Sequence, residues 1–212
     1  MKYFIDLLET SKNLRILEVG PGLGVNLNTL YKFGEVDILE IDSYFVEQIK
    51  LEYKNIVNYS NLDNIDKKYD LIVMLDVLEH IDDTELFLDK INGILADSGS
   101  LIISVPAYQK LFSKHDIEMH HFRRYSMNLL KTHLQNSFKI IKTCRYNSLL
   151  LPLRVVQIIF FKNVNSDVGT SNFLNLVFKK IINTEIWLIK KNINIPFGLS
   201  IFCIAKKNKL FT

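Results

Sequence analysis

The sequence predicts a single α/β domain over residues 1–212, built on a largely parallel sheet. Three observations predict it. Short apolar runs alternate with segments of helical spacing, and a glycine-rich turn follows the first such run. The 212-residue length, with 48% hydrophobic and 23% charged residues, suits one well-filled core.

Leu14–Gly20 is a short apolar run closed by glycine, the pattern of a strand buried on both faces. Leu23–Phe33 places Leu23, Leu27, Leu30 and Tyr31 on one helical side. Val36–Ile41 reads as a second strand, Tyr44–Tyr53 as a second helix and Asn55–Tyr59 as a weaker third strand. Tyr69–Val77, rich in β-branched and aliphatic residues, is the strongest strand. Thr84–Ala96 is a helix with Leu86, Phe87, Ile91 and Leu95 inward; Asp97–Gly99 turns the chain into a fifth strand, Ser100–Val105, which Pro106 stops. Such βαβαβ alternation implies right-handed crossovers between parallel strands. Ala107–Arg124 is polar and histidine-rich, and so reads as a functional loop. Tyr125–Ser137 is a helix with Ser126 as its N-cap. Phe138–Tyr146 and Leu199–Lys206 read as two further strands. Between them, the apolar helical stretches Leu149–Phe161 and Phe173–Lys191 flank the polar loop Asn163–Ser171, forming an insertion over about 148–196.

Composition narrows the function classes. A net charge of +3 without a basic stripe does not call for a nucleic-acid partner. Met1–Thr10 carries Asp6 and Glu9 and lacks a cationic n-region, so it is not a secretory signal. No apolar run reaches the ~20 residues that span a bilayer. Cys144 and Cys203 read as buried thiols in a reducing compartment. The expected location is the cytoplasm, extending to the inner face of the membrane.

Glu18-Val19-Gly20-Pro21-Gly22-Leu23-Gly24 stands where a strand gives way to a helix. Glycines there permit a tight turn and bring a ligand against bare backbone. A carboxylate should cap the second strand to bind a ribose diol, and Glu40 stands at that place. A dinucleotide turn wants its third glycine at position 25, where this chain has Val25. The G-x-G-x-G form with Glu18 ahead of it is instead typical of S-adenosylmethionine enzymes.

With these motifs the chain resembles the class I methyltransferases from about Leu14 to Lys207, through L-E-V-G-P-G-L-G, L-E-I-D, Y-D-L-I-V-M-L-D-V-L-E-H-I and L-I-I-S-V-P-A-Y. The resemblance implies a Rossmann-like, seven-stranded, mostly parallel sheet with an antiparallel last strand. It further implies S-adenosyl-L-methionine across the carboxyl ends of the strands. Glu18, Gly20, Gly22 and Gly24 would then hold the methionine part and Glu40 the ribose hydroxyls. Ile41 would pack on the adenine, Asn61 and Leu62 would contact it, and Asp76 and Val77 would line the site. A narrower likeness, V-P-A-Y-Q-K-L-F-S-K-H-D with H-H-F-R-R-Y-S, is to a bacterial and archaeal subgroup whose genes often accompany glycosyltransferases and lipid- or polysaccharide-modifying enzymes.

Methyl transfer to a hydroxyl or amine also needs a proton acceptor, for which histidine is suited. His80, His115 and His121 are the candidates; His120 reads as a solvated loop residue. Each of the three could instead only order its loop. Tyr108, Arg123, Arg124 and Tyr125 are candidate substrate contacts, because guanidinium forks fit phosphates and carboxylates, although a structural ion pair would explain the arginines too. Asp76, Glu79, His80 and His121 resemble the divalent-cation set of certain O-methyltransferases. The plainer and preferred reading has Asp76 facing the cofactor and Glu79 stabilising the helix start.

The two apolar stretches pack on the sheet or between protomers, or else form a greasy channel or peripheral membrane contact for a lipid-linked acceptor. The expected function is methyl transfer, O-methylation first, to a small molecule, sugar or lipid-linked intermediate. A metal-using RNA methyltransferase and a non-catalytic cofactor-binding subunit are the alternatives. The expected assembly is a monomer or homodimer.

Overall fold

A computed structural model describes residues 5, 13–148, 180, 182–189, 191, 193 and 195–208. Leu149–Phe161, Asn163–Ser171 and the first part of Phe173–Lys191 lie outside the described residues, so the insertion is seen only as a helix over 182–189.

Seven strands form one sheet: β1 (Leu14–Val19), β2 (Gly34–Leu39), β3 (Asn58–Tyr59), β4 (Tyr69–Leu75), β5 (Leu95–Pro106), β6 (Phe138–Tyr146) and β7 (Ser200–Lys207). Their order is β3-β2-β1-β4-β5-β7-β6. All run parallel except β7, which is antiparallel to both β5 and β6. This is the predicted topology.

The helices are α1 (Leu27–Leu30), α2 (Ser43–Glu52), α3 (Thr84–Ile94), α4 (Lys114–Glu118) and α5 (Met127–Leu134), followed by the 182–189 segment. They cover both faces of the sheet. One core layer joins Leu17, Val19 and Ile103 to Leu88 and Ile91 of α3 and Leu130 of α5. The other joins Ile16, Ile38 and Val73 to Leu27, Leu30, Ile49 and Ile189. Burial on both faces is why the central strands read as continuous apolar runs.

Four differences from the sequence reading have local causes. The first helix shrinks to Leu27–Leu30, because Gly22 and Gly24 at φ 54° and 72° cannot continue an α-helix; Leu23 is thereby 63% exposed. β3 is only two residues long. β5 starts early, at Leu95, since the residues read as a turn form a bulge between the pairs Tyr69–Leu95 and Leu71–Ser100. In α3, Ile91 and, just past its end, Leu95 are buried and Phe87 packs on the core as expected, but Leu86 is exposed, and Leu88 and Ile94 fill the inward face instead. Ser126 caps α5 as expected, accepting from Leu129 N–H at 3.1 Å.

Candidate active site

Gly20, Gly22 and Gly24 all adopt positive φ (63°, 54° and 72°), which makes the turn from β1 so tight. A Cβ at Gly20 would come within 2.8 Å of Val77 Cγ2, whereas Gly22 faces open space. The turn is tied to the end of β2 by Glu40. One carboxylate oxygen of Glu40 accepts from Gly22 N–H at 3.1 Å; the other accepts from Ile41 and Asp42 N–H at 2.9 and 3.0 Å. Asn58 fixes the Glu40 backbone in turn, accepting from its N–H and donating to its carbonyl.

Glu18 is 2% exposed at the head of this turn. Asn26 Nδ2 donates to its Oε1 at 3.2 Å, while Oε2 is buried without a partner. Burial pushes the Glu18 carboxyl up to about 7, with the Asn26 bond opposing. An orphaned, buried carboxylate oxygen calls for a donor from outside the chain. With open space at Gly22 and Ile41 80% exposed beside Glu40, these residues fit S-adenosylmethionine. Its ammonium suits Glu18, its ribose diol Glu40 and its adenine face Ile41. Two neighbouring expectations need refinement. Leu62 is buried in the core, so only its backbone is free for a ligand. Asn61 uses its side-chain oxygen to cap the turn that follows, accepting from Asp63 N–H at 3.1 Å.

Past β4 the chain turns sharply at Asp76, whose φ is 54°. Its N–H donates to the Ser104 carbonyl and its carboxylate accepts from Ser104 Oγ at 3.2 Å. Burial raises the Asp76 carboxyl above its ordinary value, against the pull of Ser104, His121 and His80. Val77 is half-buried against Gly20, and a 3-10 turn over Leu78–His80 follows. Glu79 is 1% exposed and neither carboxylate oxygen has a partner. Burial, before the charges of Asp76 and Asp116, drives the Glu79 carboxyl up to about 8.

The segment after β5 is ordered by one carboxylate that the sequence reading missed. Asp116, fully buried on α4, accepts from Ser113 N–H and Oγ at 2.9 and 3.0 Å in a capping box. It also accepts from Arg124 Nε at 2.7 Å and Nη2 at 3.0 Å, and bonds His121 Nδ1 at 3.0 Å. Burial opposes its charge, yet Arg124, His121 and the Ser113 backbone pull its carboxyl down to about 2. An ionised carboxylate only accepts, so His121 Nδ1 carries a proton, and in the neutral imidazole the lone pair is then on Nε2. The His121 ring lies 4.6 Å from that of His80 at 84°, edge to face. Ligand atoms of Glu79, His80 and His121 fall within 4.8 Å of one another. Burial and the neighbouring His121 both lower the His80 pKa.

Several expected roles are corrected by this geometry. Arg124 is spent on Asp116. Arg123 donates to Thr84 Oγ1 at 2.6 Å and to the Asp82 carbonyl at 2.9 Å, tying the loop to the start of α3. Tyr125 is fully buried, its hydroxyl donating to the Leu78 carbonyl at 3.2 Å. Guanidinium forks do find an oxyanion here, but it belongs to the chain itself. His115 is exposed on α4 and outside the Glu79–His80–His121 group. Asp76 is also outside that group. Tyr108 is half-buried at φ 63°, beneath the Arg145 guanidinium at 5.7 Å.

Residues 2–140 match the family described as a methyltransferase domain. A ubiquinone biosynthesis O-methyltransferase of Dictyostelium discoideum is 25% identical over an alignment covering 49% of this chain and 43% of that protein. The chain therefore spans under half the length of that relative. An S-adenosylmethionine-dependent methyltransferase from Clostridium acetobutylicum superimposes with a TM-score of 0.62 at 12% identity, over 97% of this chain and 89% of that one. The N-methyltransferase NodS from Bradyrhizobium japonicum, solved with S-adenosyl-l-homocysteine, gives 0.60 at 12% identity, over 98% and 84%. With about two thirds of its length matched by the family model, the chain belongs to the methyltransferase-domain family, and it has the class I methyltransferase fold.

Proposed function

We propose that the chain catalyses methyl transfer from S-adenosylmethionine to a hydroxyl group of a small molecule, sugar or lipid-linked intermediate. The observation that carries this reading is His121, whose Nδ1 is held by buried Asp116 while its ring lies edge to face with His80, in the Glu79–His80–His121 group past the end of β4. When bound, S-adenosylmethionine supplies an activated methyl group on a sulfonium. Glu18 then receives the ammonium, and Glu40 keeps its backbone donors while accepting from the ribose. Asp76 and Val77 line the wall beneath the acceptor. Holding the acceptor in line is worth ~7–11 kcal/mol of the barrier. His121 Nε2 takes the acceptor's proton, a task worth roughly 10²–10⁴ in rate; Asp116 fixes the ring and offsets the resulting charge. The Dictyostelium relative, an O-methyltransferase by name, supports the oxygen acceptor.

The test is calorimetric titration with S-adenosylmethionine and S-adenosylhomocysteine, followed by an acceptor screen with mass-spectrometric detection. Micromolar binding that Glu40→Ala weakens, and turnover that His121→Gln lowers at least about 10²-fold without changing the S-adenosylhomocysteine Kd, support the proposal. Folded protein that binds neither ligand overturns it.

A second reading rests on Glu79, whose two orphaned oxygens lie beside two imidazoles. Glu79, His80 and His121 would hold a divalent cation, with Asp116 orienting His121 from behind. The cation would act as a Lewis acid toward the acceptor oxygen. Saturable Mg²⁺, Mn²⁺ or Zn²⁺ binding in calorimetry, lost in Glu79→Gln, supports this reading; full activity after exhaustive chelation rejects it. Among the described residues no helix is long and apolar enough to cross a membrane.

A further inference from the structure

Four arginines are described, and three are paired with carboxylates: Arg15 with Asp70, Arg123 with Asp82 and Arg124 with Asp116. Arg145 has no carboxylate partner among the described residues. It is half-buried near the end of β6, its Nη1 donates to the Pro196 carbonyl, and its Nε is buried with no hydrogen-bond partner. Its guanidinium lies over the Tyr108 ring at 5.7 Å. The Tyr108 hydroxyl accepts from Gly198 N–H at 3.4 Å, and so keeps its own proton to donate.

The sheet sets this pair beside the active site. Arg145 pairs with Ile201, and Ile201 with Val105. Val105 follows Ser104, whose hydroxyl donates to Asp76. Adjacent strands lie ~4.8 Å apart, so Arg145 stands about 10 Å from β5 on the same carboxyl edge. Its face is set too. Cys144 belongs to the core layer with Leu27 and Ile49, so its neighbour Arg145 points to the opposite layer, where Tyr108 packs with Tyr125 and Leu78. Glu79 and the histidines follow directly from Leu78 and the 113–121 segment. The turn before β7 is fixed as well: a Cβ at Gly198 would come within 2.5 Å of the Tyr146 carbonyl oxygen.

We infer that Arg145 and Tyr108 form an oxyanion subsite for the methyl acceptor, binding a carboxylate or phosphate group on the same carboxyl edge of the sheet as the methyl-transfer centre. This rests on the methyltransferase reading only for the identity of the ligand; the subsite is defined by its own donors. Nη2, without a hydrogen-bond partner among the described residues, is the arm that a planar oxyanion would meet, with Nε buried behind it. The aromatic ring below the guanidinium holds it in plane.

The experiment titrates the purified full chain, saturated with S-adenosylhomocysteine, with phenyl phosphate, benzoate, inorganic phosphate and neutral benzamide. An oxyanion probe should bind about 10- to 100-fold tighter than benzamide, the worth of a charge-assisted bond. Arg145→Gln should abolish that preference, Arg145→Lys should retain part of it, and Tyr108→Phe should reduce it. A preference for phenyl phosphate and inorganic phosphate assigns a phosphate acceptor; a preference for benzoate assigns a carboxylate. Equal affinity for charged and neutral probes overturns the inference, as does a preference that survives in folded Arg145→Gln. S-adenosylhomocysteine titration of each variant separates the two proposals. Cofactor binding without oxyanion preference sinks only this one, and oxyanion preference without cofactor binding sinks only the methyltransferase reading.

Discussion

Replacing Glu18 by glutamine should stabilise the ligand-free protein at neutral pH while impairing cofactor binding. Burial holds the Glu18 carboxyl at about 7, against an ordinary 4.5. A carboxyl raised by folding costs nothing while it is protonated in both states. The folded state loses stability as pH rises from about 4.5 and has lost the full amount once pH passes about 7. At ~1.36 kcal/mol per pH unit, the loss is about 3 kcal/mol. Glu18→Gln removes that charge and keeps an acceptor for Asn26, so at pH 8 it should melt up to about 10 °C above wild type. At pH 4.5 the two should coincide. Binding should respond in the opposite sense. The ammonium of S-adenosylhomocysteine favours ionised Glu18, so wild-type affinity should rise by up to ~tenfold per pH unit below pH 7 and level off above it. Glu18→Gln should bind weakly with no such slope. Melting curves by scanning fluorimetry and titrations at four pH values decide it. Parallel pH profiles for wild type and variant would refute the argument, because the buried charge would then not be the source of the dependence.

The effects at Gly20 and Gly22 should separate. Gly20→Ala strains a φ of 63° and drives a methyl to 2.8 Å from Val77, so urea unfolding should show a loss of about 1–3 kcal/mol. Gly22→Ala also strains a positive φ (54°) but meets nothing within 4 Å, so it should lose less stability than Gly20→Ala and more cofactor affinity. Arg124→Leu leaves buried Asp116 without its guanidinium partner, with only Ser113 and His121 bonding it, and should cost about 3–5 kcal/mol by chemical denaturation. Adding Asp116→Asn to Arg124→Leu should restore part of that loss, the mark of a coupled pair. Glu40→Ala strips acceptors from three backbone N–H groups and should weaken S-adenosylhomocysteine binding at least about tenfold.

What the sequence made legible was whatever depends on local pattern. Buried parallel strands are apolar runs, and Gly20, Gly22, Gly24 and Glu40 have a spacing that only a strand-turn-helix satisfies. The number of strands and the antiparallel last one followed from the resemblance to the class I methyltransferases. The acceptor side was less legible, because it depends on which groups meet across long separations. Arg124 and Asp116 are eight residues apart, but nothing local says that their ion pair is buried. Ser113 and Asp116 did carry a readable signal, the capping-box spacing. Arg145 carried none; its placement depends on the register of β6 against β7 and on Tyr108, 37 residues earlier. Leu86 and Leu88 of α3 differ for a related reason, since they are equally apolar and only packing on the sheet chooses between them.

The antiparallel insertion of β7 between β5 and β6 also fixes when the site can exist. β5 and β6 do not pair with each other; on the sides that face one another, each finds its partner in residues 200–207, nearly a hundred positions beyond Val105 in the pairing of Val105 with Ile201. Such contacts are slow to form. A chain emerging from the ribosome can complete the β3-β2-β1-β4-β5 half, with its glycine turn and Glu40, well before β7 is available. During that interval the fully buried edge of Leu101, Ile102 and Ile103 has no partner and is open to pairing with other chains. Cofactor affinity should therefore appear earlier in synthesis than acceptor affinity, and ligand present in the cell can bind and stabilise the first half while the second is still being made.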